Sequence, residues 1–273
     1  MVVSRDNSWN DREYGRDKWP PLLRKAKELI AGGERSLSRI VRQVYREMTL
    51  PISHQQDLFT VLGRPVMLPR SFAWSGSNGY FADMVIDACG SGTDTVIELG
   101  SGWSRCLFDV WLRGGPKARY YGLERTASGR ACAELIASVE PAMDFRSLPF
   151  DFYSPDYAGI EKSKQAVVFS DFSICVIPQI GKDVFTKLRD VADEVVGVMI
   201  EPFGWQVPES ERDTTRIGSS SEYATLHDYN RDLWSTLKGL ERDGILSIDF
   251  VETETVGLKP ENSMSVVRWR MGS

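Results

Sequence analysis

The sequence predicts an α/β fold: a seven-stranded, mostly parallel sheet with an antiparallel edge strand, helices on both faces, and an N-terminal helical cap. Three observations predict it. From Thr93 onward, short apolar runs alternate with amphipathic segments. The last two apolar runs are joined by the turn-rich GLKPENS, which reads as a hairpin. In TVIELGSGWSRCLFDVWLRGG, Thr95 to Gly115, a strand, a glycine turn and a helix follow end to end.

Taken in order, residues 1–18 are charged and read as poorly ordered. In WPPLLRKAKELIAGG, Trp19 and two prolines precede a helix that Gly32-Gly33 ends. Ser36 to Leu50 puts Leu37, Ile40, Val41 and Val44 on one helical face, with Ser36 or Ser38 as its cap and Pro51 as its stop. Residues 51–80 read as aromatic loop, carrying Phe72, Trp74 and Tyr80, and Phe81 to Ala88 as a further helix. Strands are expected at 95–99, 119–123, 143–148, 165–170, 195–200, 245–251 and 264–270, and helices at 104–113, 126–139, 181–192 and 222–242. The last helix spaces Leu226, Leu233, Leu237 and Leu240 along one face and stops at Gly244. The expected division is a cap and substrate-side extension over 1–90 and a ligand-binding domain over 91–273.

Composition narrows the class. The 273 residues are 42% hydrophobic and 26% charged, ordinary for a globular chain. No apolar run approaches the roughly 20 residues a bilayer span needs, and the polar N-terminus lacks a signal-peptide core, so the expectation is cytoplasmic and without a membrane. Four singly scattered cysteines and two histidines predict neither a zinc site nor a disulfide framework. The net charge of −5 divides into +4 over residues 1–50 and −9 over the rest. An acidic body argues against a nucleic-acid partner. The basic N-terminus suits either an anionic substrate or a solvated helical face.

A strand that ends in a glycine turn and feeds a helix presents free N–H groups at the positive end of the helix dipole. Gly100 and Gly102 allow the tight turn and a close approach to a ligand. The dinucleotide pattern GxGxxG would need a third glycine at 105, where Arg105 stands, and the phosphate loop GxxxxGK[ST] is absent. The next strand, RYYGLE, ends in Glu124, an acid placed to accept from both hydroxyls of a ribose or to start the following helix.

Glu98-Leu99-Gly100-Ser101-Gly102, followed by Glu124, resembles the class I, Rossmann-like S-adenosylmethionine-dependent methyltransferases, with Ser104 in place of the motif's third glycine. The resemblance covers about Thr93 to Arg270. It implies that Gly100, Ser101 and Gly102 wrap the methionine part of S-adenosylmethionine, that Glu98 engages its amino group, and that Glu124 binds the ribose. In LPFDFYSP it implies Asp151 for the adenine amino group, with Phe150 or Phe152 flanking the ring. In SDFSICVIPQIG it turns Asp171, Phe172 and Ser173 toward the transferred methyl; capping a helix is the other use of Asp171 or Ser173.

Methyl transfer by in-line displacement needs alignment more than a fixed catalytic set. An oxygen acceptor benefits from a base, and the candidates are His227, Glu201 at the end of VVGVMIE, and Asp171. Trp205 is a candidate aromatic wall, and 202–221 reads as a lid. His54 receives no role. The implied acceptor is a small molecule or natural product, a sugar or a peptide-derived compound, methylated on oxygen or nitrogen; the family admits a homodimer. An NAD(P)-dependent oxidoreductase on a related fold and a non-catalytic partner subunit are the other two readings. Arg105 at the third-glycine position weighs against the oxidoreductase, and the Tyr-x-x-x-Lys spacing of the chain, Tyr14 to Lys18, stands ahead of the predicted sheet region.

Overall fold

The computed structural model describes residues 6–49, 55–257 and 259–272; Pro51 and His54 lie outside them. Nine strands form one sheet rather than the seven expected. They are β1 (Gln56–Val61), β2 (Arg64–Pro69), β3 (Thr95–Leu99), β4 (Arg119–Glu124), β5 (Asp144–Pro149), β6 (Ser163–Asp171), β7 (Ala192–Glu201), β8 (Ser247–Gly257) and β9 (Met264–Gly272). The order is β2-β1-β8-β9-β7-β6-β3-β4-β5. Strands β3 to β7 pair in parallel, and β9 runs antiparallel between β7 and β8. The antiparallel β9 is therefore interior, not at the edge as expected.

The extra hairpin β1–β2 occupies that edge, where β1 pairs antiparallel with β8. Its two-residue turn has Leu62 at φ 50° and Gly63 at φ 71°. A tight hairpin turn of this sort requires positive φ at both positions, and Asn or Asp is usual at the first. Leucine there hides the signal, so the segment reads as loop.

Ahead of the sheet come α1 (Asn7–Asn10), a π-helical stretch (Asp11–Lys18), α2 (Trp19–Ala31), α3 (Leu37–Thr49) and α4 (Arg70–Ala88). Residues 7–18 are thus helical, contrary to expectation. Asp6 caps α1 by accepting from the Trp9 N–H. Tyr14 stacks on Trp19 at 5.4 Å, and the Ser128 hydroxyl donates to the Gly15 carbonyl at 3.0 Å. These distant contacts order a segment that composition alone marks as loose. Helix α4 is also longer than expected: Gly76 and Gly79 lower its intrinsic propensity, and packing against α5 and the sheet restores it.

In the sheet region, α5 (Arg105–Leu112) and α6 (Ala127–Ala137) match their expected places. The helix expected at 181–192 is only α7 (Asp183–Thr186) followed by a 3-10 turn. The expected 222–242 helix breaks into α8 (Ser221–Leu226) and α9 (Leu233–Arg242). Asn230 explains the break: its Oδ1 accepts the Leu233 N–H at 2.7 Å, and its amide donates to the Ile177 carbonyl at 2.8 Å. Asparagine captures backbone groups that a helix would otherwise use. Two apolar cores result, one on each face of the sheet, the first around Trp269 and Phe185 and the second around Phe108 and Tyr120.

Candidate functional site

Glu98, Glu124 and Asp171 stand at or next to the carboxyl ends of β3, β4 and β6, three adjacent parallel strands. Open α/β sheets bind ligands there, where the strand order reverses. A cavity of about 390 Å³ opens over these ends. All three carboxylates line it, together with Gly100, Ser101, Gly102, Phe150, Asp151, Phe152, Phe172 and Ser173. The structure therefore brings eleven of the thirteen expected site residues to one place.

The glycine turn fits because nothing larger would. Gly100 has φ 69°, and a Cβ there would come within 2.6 Å of the Ser173 Cβ. Gly102 has φ 56°, and a Cβ there would meet the Trp19 ring at 2.8 Å. Ser104, at the motif's third-glycine position, keeps the left-handed backbone of a glycine at φ 61°. Phe172 does likewise at φ 54°. Backbone held in this region by bulky residues is concentrated at functional sites.

Glu124 ties the turn to the second strand. One carboxylate oxygen accepts from the Gly102 N–H at 3.0 Å, and the other from the Thr126 N–H and hydroxyl at 2.8 and 2.6 Å. Glu98 differs. It is buried and its Oε2 has no hydrogen-bond partner. Burial, and then the charge of Asp171, push its carboxyl well above the usual range. A cationic group beside it would favour the ionised form. Arg105 donates to Asp171 at 2.7 Å and to Asp109 at 2.9 Å. Burial raises Asp171, and Arg105 opposes the rise.

Two of the three expected catalytic residues lie elsewhere. Glu201 is 1% exposed and does not line the cavity. Its Oε1 accepts the N–H groups of Ser173 and Ile174 at 3.0 and 2.9 Å, and its Oε2 that of Cys175 at 3.0 Å. It holds the turn after β6 and touches nothing in the cavity. His227 caps the C-terminus of α8, its ring 4.2 Å from that of Tyr223, and it too is absent from the cavity wall. Trp205 does not line it either.

The cavity roof comes from the expected cap, but none of its residues was an expected site residue. It comes from Asn7, Asn10, Tyr14 and Trp19 at one end and from Tyr45, Trp74 and Asn78 at the other. Asn7 donates to Asp151 at 3.2 Å, and Arg125 bridges Asp151 to Asp11. Asn10 Oδ1 and Trp19 Nε1 are covered and have no partner. The aromatic density of 9–19 and 72–80 is the sequence signal that could have found these segments.

No protein-family model matches the chain, and no curated protein matches it. Among solved structures it is similar to the CcbJ methyltransferase of Streptomyces caelestis, at 14% identity over 72% of this chain and 90% of that one, with a TM-score of 0.47. A SAM-dependent methyltransferase of Aquifex aeolicus matches at 15% identity, over 70% and 89%, with a TM-score of 0.47. Magnesium protoporphyrin IX methyltransferase of Synechocystis PCC 6803, with bound SAH, matches at 11% identity, over 74% and 86%, with a TM-score of 0.48.

Proposed function

We propose that this chain, which has the class I methyltransferase fold, binds S-adenosylmethionine in the cavity and transfers its methyl group to a small-molecule acceptor. The observation that carries the reading is the row of carboxylates at three neighbouring strand ends around a left-handed glycine turn, with one oxygen of Glu98 covered and without a partner. A carboxyl oxygen without a partner on a cavity wall calls for a cationic donor. The methionine ammonium is such a group.

The residues divide the ligand between them. Gly100, Ser101 and Gly102 admit the methionine part closely, with Glu98 at its amino group. Glu124 takes the ribose hydroxyls, and the unpartnered Asn10 Oδ1 and Trp19 Nε1 add an acceptor and a donor on the side of the roof. Phe150, Phe152 and Asp151 serve the adenine. When bound, S-adenosylmethionine supplies an electrophilic methyl on a sulfonium. Asp109 and Asp171 face a single Arg105, so the local balance is acidic and suits that positive charge. Phe172 and the helical roof keep water from the methyl. Asp171, in the cavity, is the residue placed to take a proton from an acceptor hydroxyl.

Titration calorimetry with S-adenosylmethionine, S-adenosylhomocysteine and NAD tests this. Both sulfur nucleosides bind and NAD does not. Glu124→Ala retains the fold by circular dichroism and weakens S-adenosylhomocysteine binding roughly 10- to 100-fold, the loss of one or two charge-assisted hydrogen bonds. Unchanged affinity in that variant contradicts the ribose role, and no binding by the native chain contradicts the whole reading.

A further inference from the structure

Beside Asp171 the wall of this same cavity forms an aromatic chamber. Arg105, paired with Asp171, lies 5.7 Å over the ring of Tyr45, and Tyr45 packs at 5.8 Å against Trp74. Tyr45, Met48, Trp74, Phe81, Val256 and Met264 wall this end, drawn from α3, α4, β8 and β9. The surface is almost wholly apolar. Ser77 spends its hydroxyl on the Ala73 carbonyl at 2.7 Å, and Asn78 bonds the Tyr45 hydroxyl. Two polar atoms are left covered and without a partner: the donor Trp74 Nε1 and the acceptor Asn262 Oδ1, both on lining residues.

Resting on the methyltransferase reading, we propose that this chamber selects the acceptor, and that the acceptor is an uncharged, ring-bearing molecule presenting a hydroxyl group. A hydroxyl both accepts and donates, which is the pair of functions Trp74 and Asn262 leave open. The ring follows from the aromatic walls, which favour offset or edge contacts with another π system. The absence of charge follows from the lining: among the described residues at this end, the charged side chains are Arg105 and Asp171, and they are committed to each other and to Asp109. An ionised acceptor would enter with nothing to balance it. A sugar would bury several hydroxyls against apolar walls, each unpaired one at a cost. In the transfer, the hydroxyl oxygen forms the new O–C bond as the S–C bond breaks. The electron pair of that bond returns to sulfur, giving a neutral thioether, and the hydroxyl proton passes to Asp171.

The test uses the full chain saturated with S-adenosylhomocysteine and three probes: naphthol, naphthoate and methyl glucoside, followed by calorimetry. Naphthol binds, and the other two bind at least tenfold more weakly. Trp74→Phe keeps the ring but removes the donor. It weakens naphthol about tenfold and leaves S-adenosylhomocysteine affinity unchanged. Asn262→Ala acts in the same direction. The proposal is overturned if naphthoate or methyl glucoside binds as tightly as naphthol, if naphthol does not bind the loaded chain, or if both variants bind naphthol like the native protein. Failure to load S-adenosylhomocysteine at all is a separate result, which removes the methyltransferase reading and this one with it.

Discussion

Glu201 carries an ionisable group into the protein interior, and three backbone N–H groups converge on it. Burial pushes its carboxyl up from 4.5 to about 7, against the pull of the bonds from Ile174 and Ser173. A carboxyl whose folded pKa is raised contributes stability that is full below the unfolded value and is lost as pH rises through the folded one. Between about pH 4.5 and 7, this residue therefore lowers the stability of the chain as pH rises. Glu201→Gln removes that slope and sets an amide N–H against a backbone donor, at a cost of about 1–3 kcal/mol. Urea unfolding of both proteins at pH 5 and pH 8 reads both effects: the native chain loses more stability between the two than the variant does. Equal losses would show that Glu201 does not titrate there. Its position at a strand end made it a candidate base in the sequence; only its partners reveal that its lone pairs are already engaged.

Among the elements, the segment Asn7–Lys18 departs furthest from its composition. It is short, charged and locally weak, and isolated helices of this length are marginal in water. Arg125 gives it a long-range anchor by bridging Asp11 and Asp151. Half-exposed ion pairs contribute little singly, so the effect belongs to the bridge as a clasp on the roof rather than to global stability. Arg125→Ala leaves the melting temperature within about 2 °C, raises hydrogen exchange across 7–18, and weakens S-adenosylhomocysteine binding several-fold. If exchange in 7–18 is unaltered, Arg125 does not hold the roof. The other misread elements share a cause. The β1–β2 turn, the start of α4 and the break at Asn230 all depend on partners distant in sequence, such as Thr255 for Leu62 and Ile177 for Asn230.

For the whole molecule, ligand binding and folding are linked because the cavity is assembled from many parts of the chain. The roof, the glycine turn, three strand ends and the β8–β9 turn meet only in the folded state. A ligand that binds that state alone stabilises it by about 2.7 kcal/mol at a hundredfold excess over its Kd. For a domain of this size, S-adenosylhomocysteine at that excess raises the melting temperature by about 4 °C or more, and NAD leaves it unchanged. Scanning calorimetry checks this, and a shift with NAD instead would favour the oxidoreductase reading.

The sequence by itself determined seven of the sheet's nine strands and the glycine loop between the first two of those seven. Apolar period, glycine punctuation and a terminal acid are local signals, and strands buried on both faces leave little room for alternatives. Eleven residues that line one cavity followed from those signals and the family resemblance. Only the tertiary structure decided the strand order, the edge hairpin, the roof, and which carboxylates face the cavity. Those choices depend on which distant side chain reaches which backbone group, and no local pattern records that. Glu98 and Glu201 both end apolar strands. One meets an open cavity and keeps an oxygen free; the other meets three N–H groups and is spent.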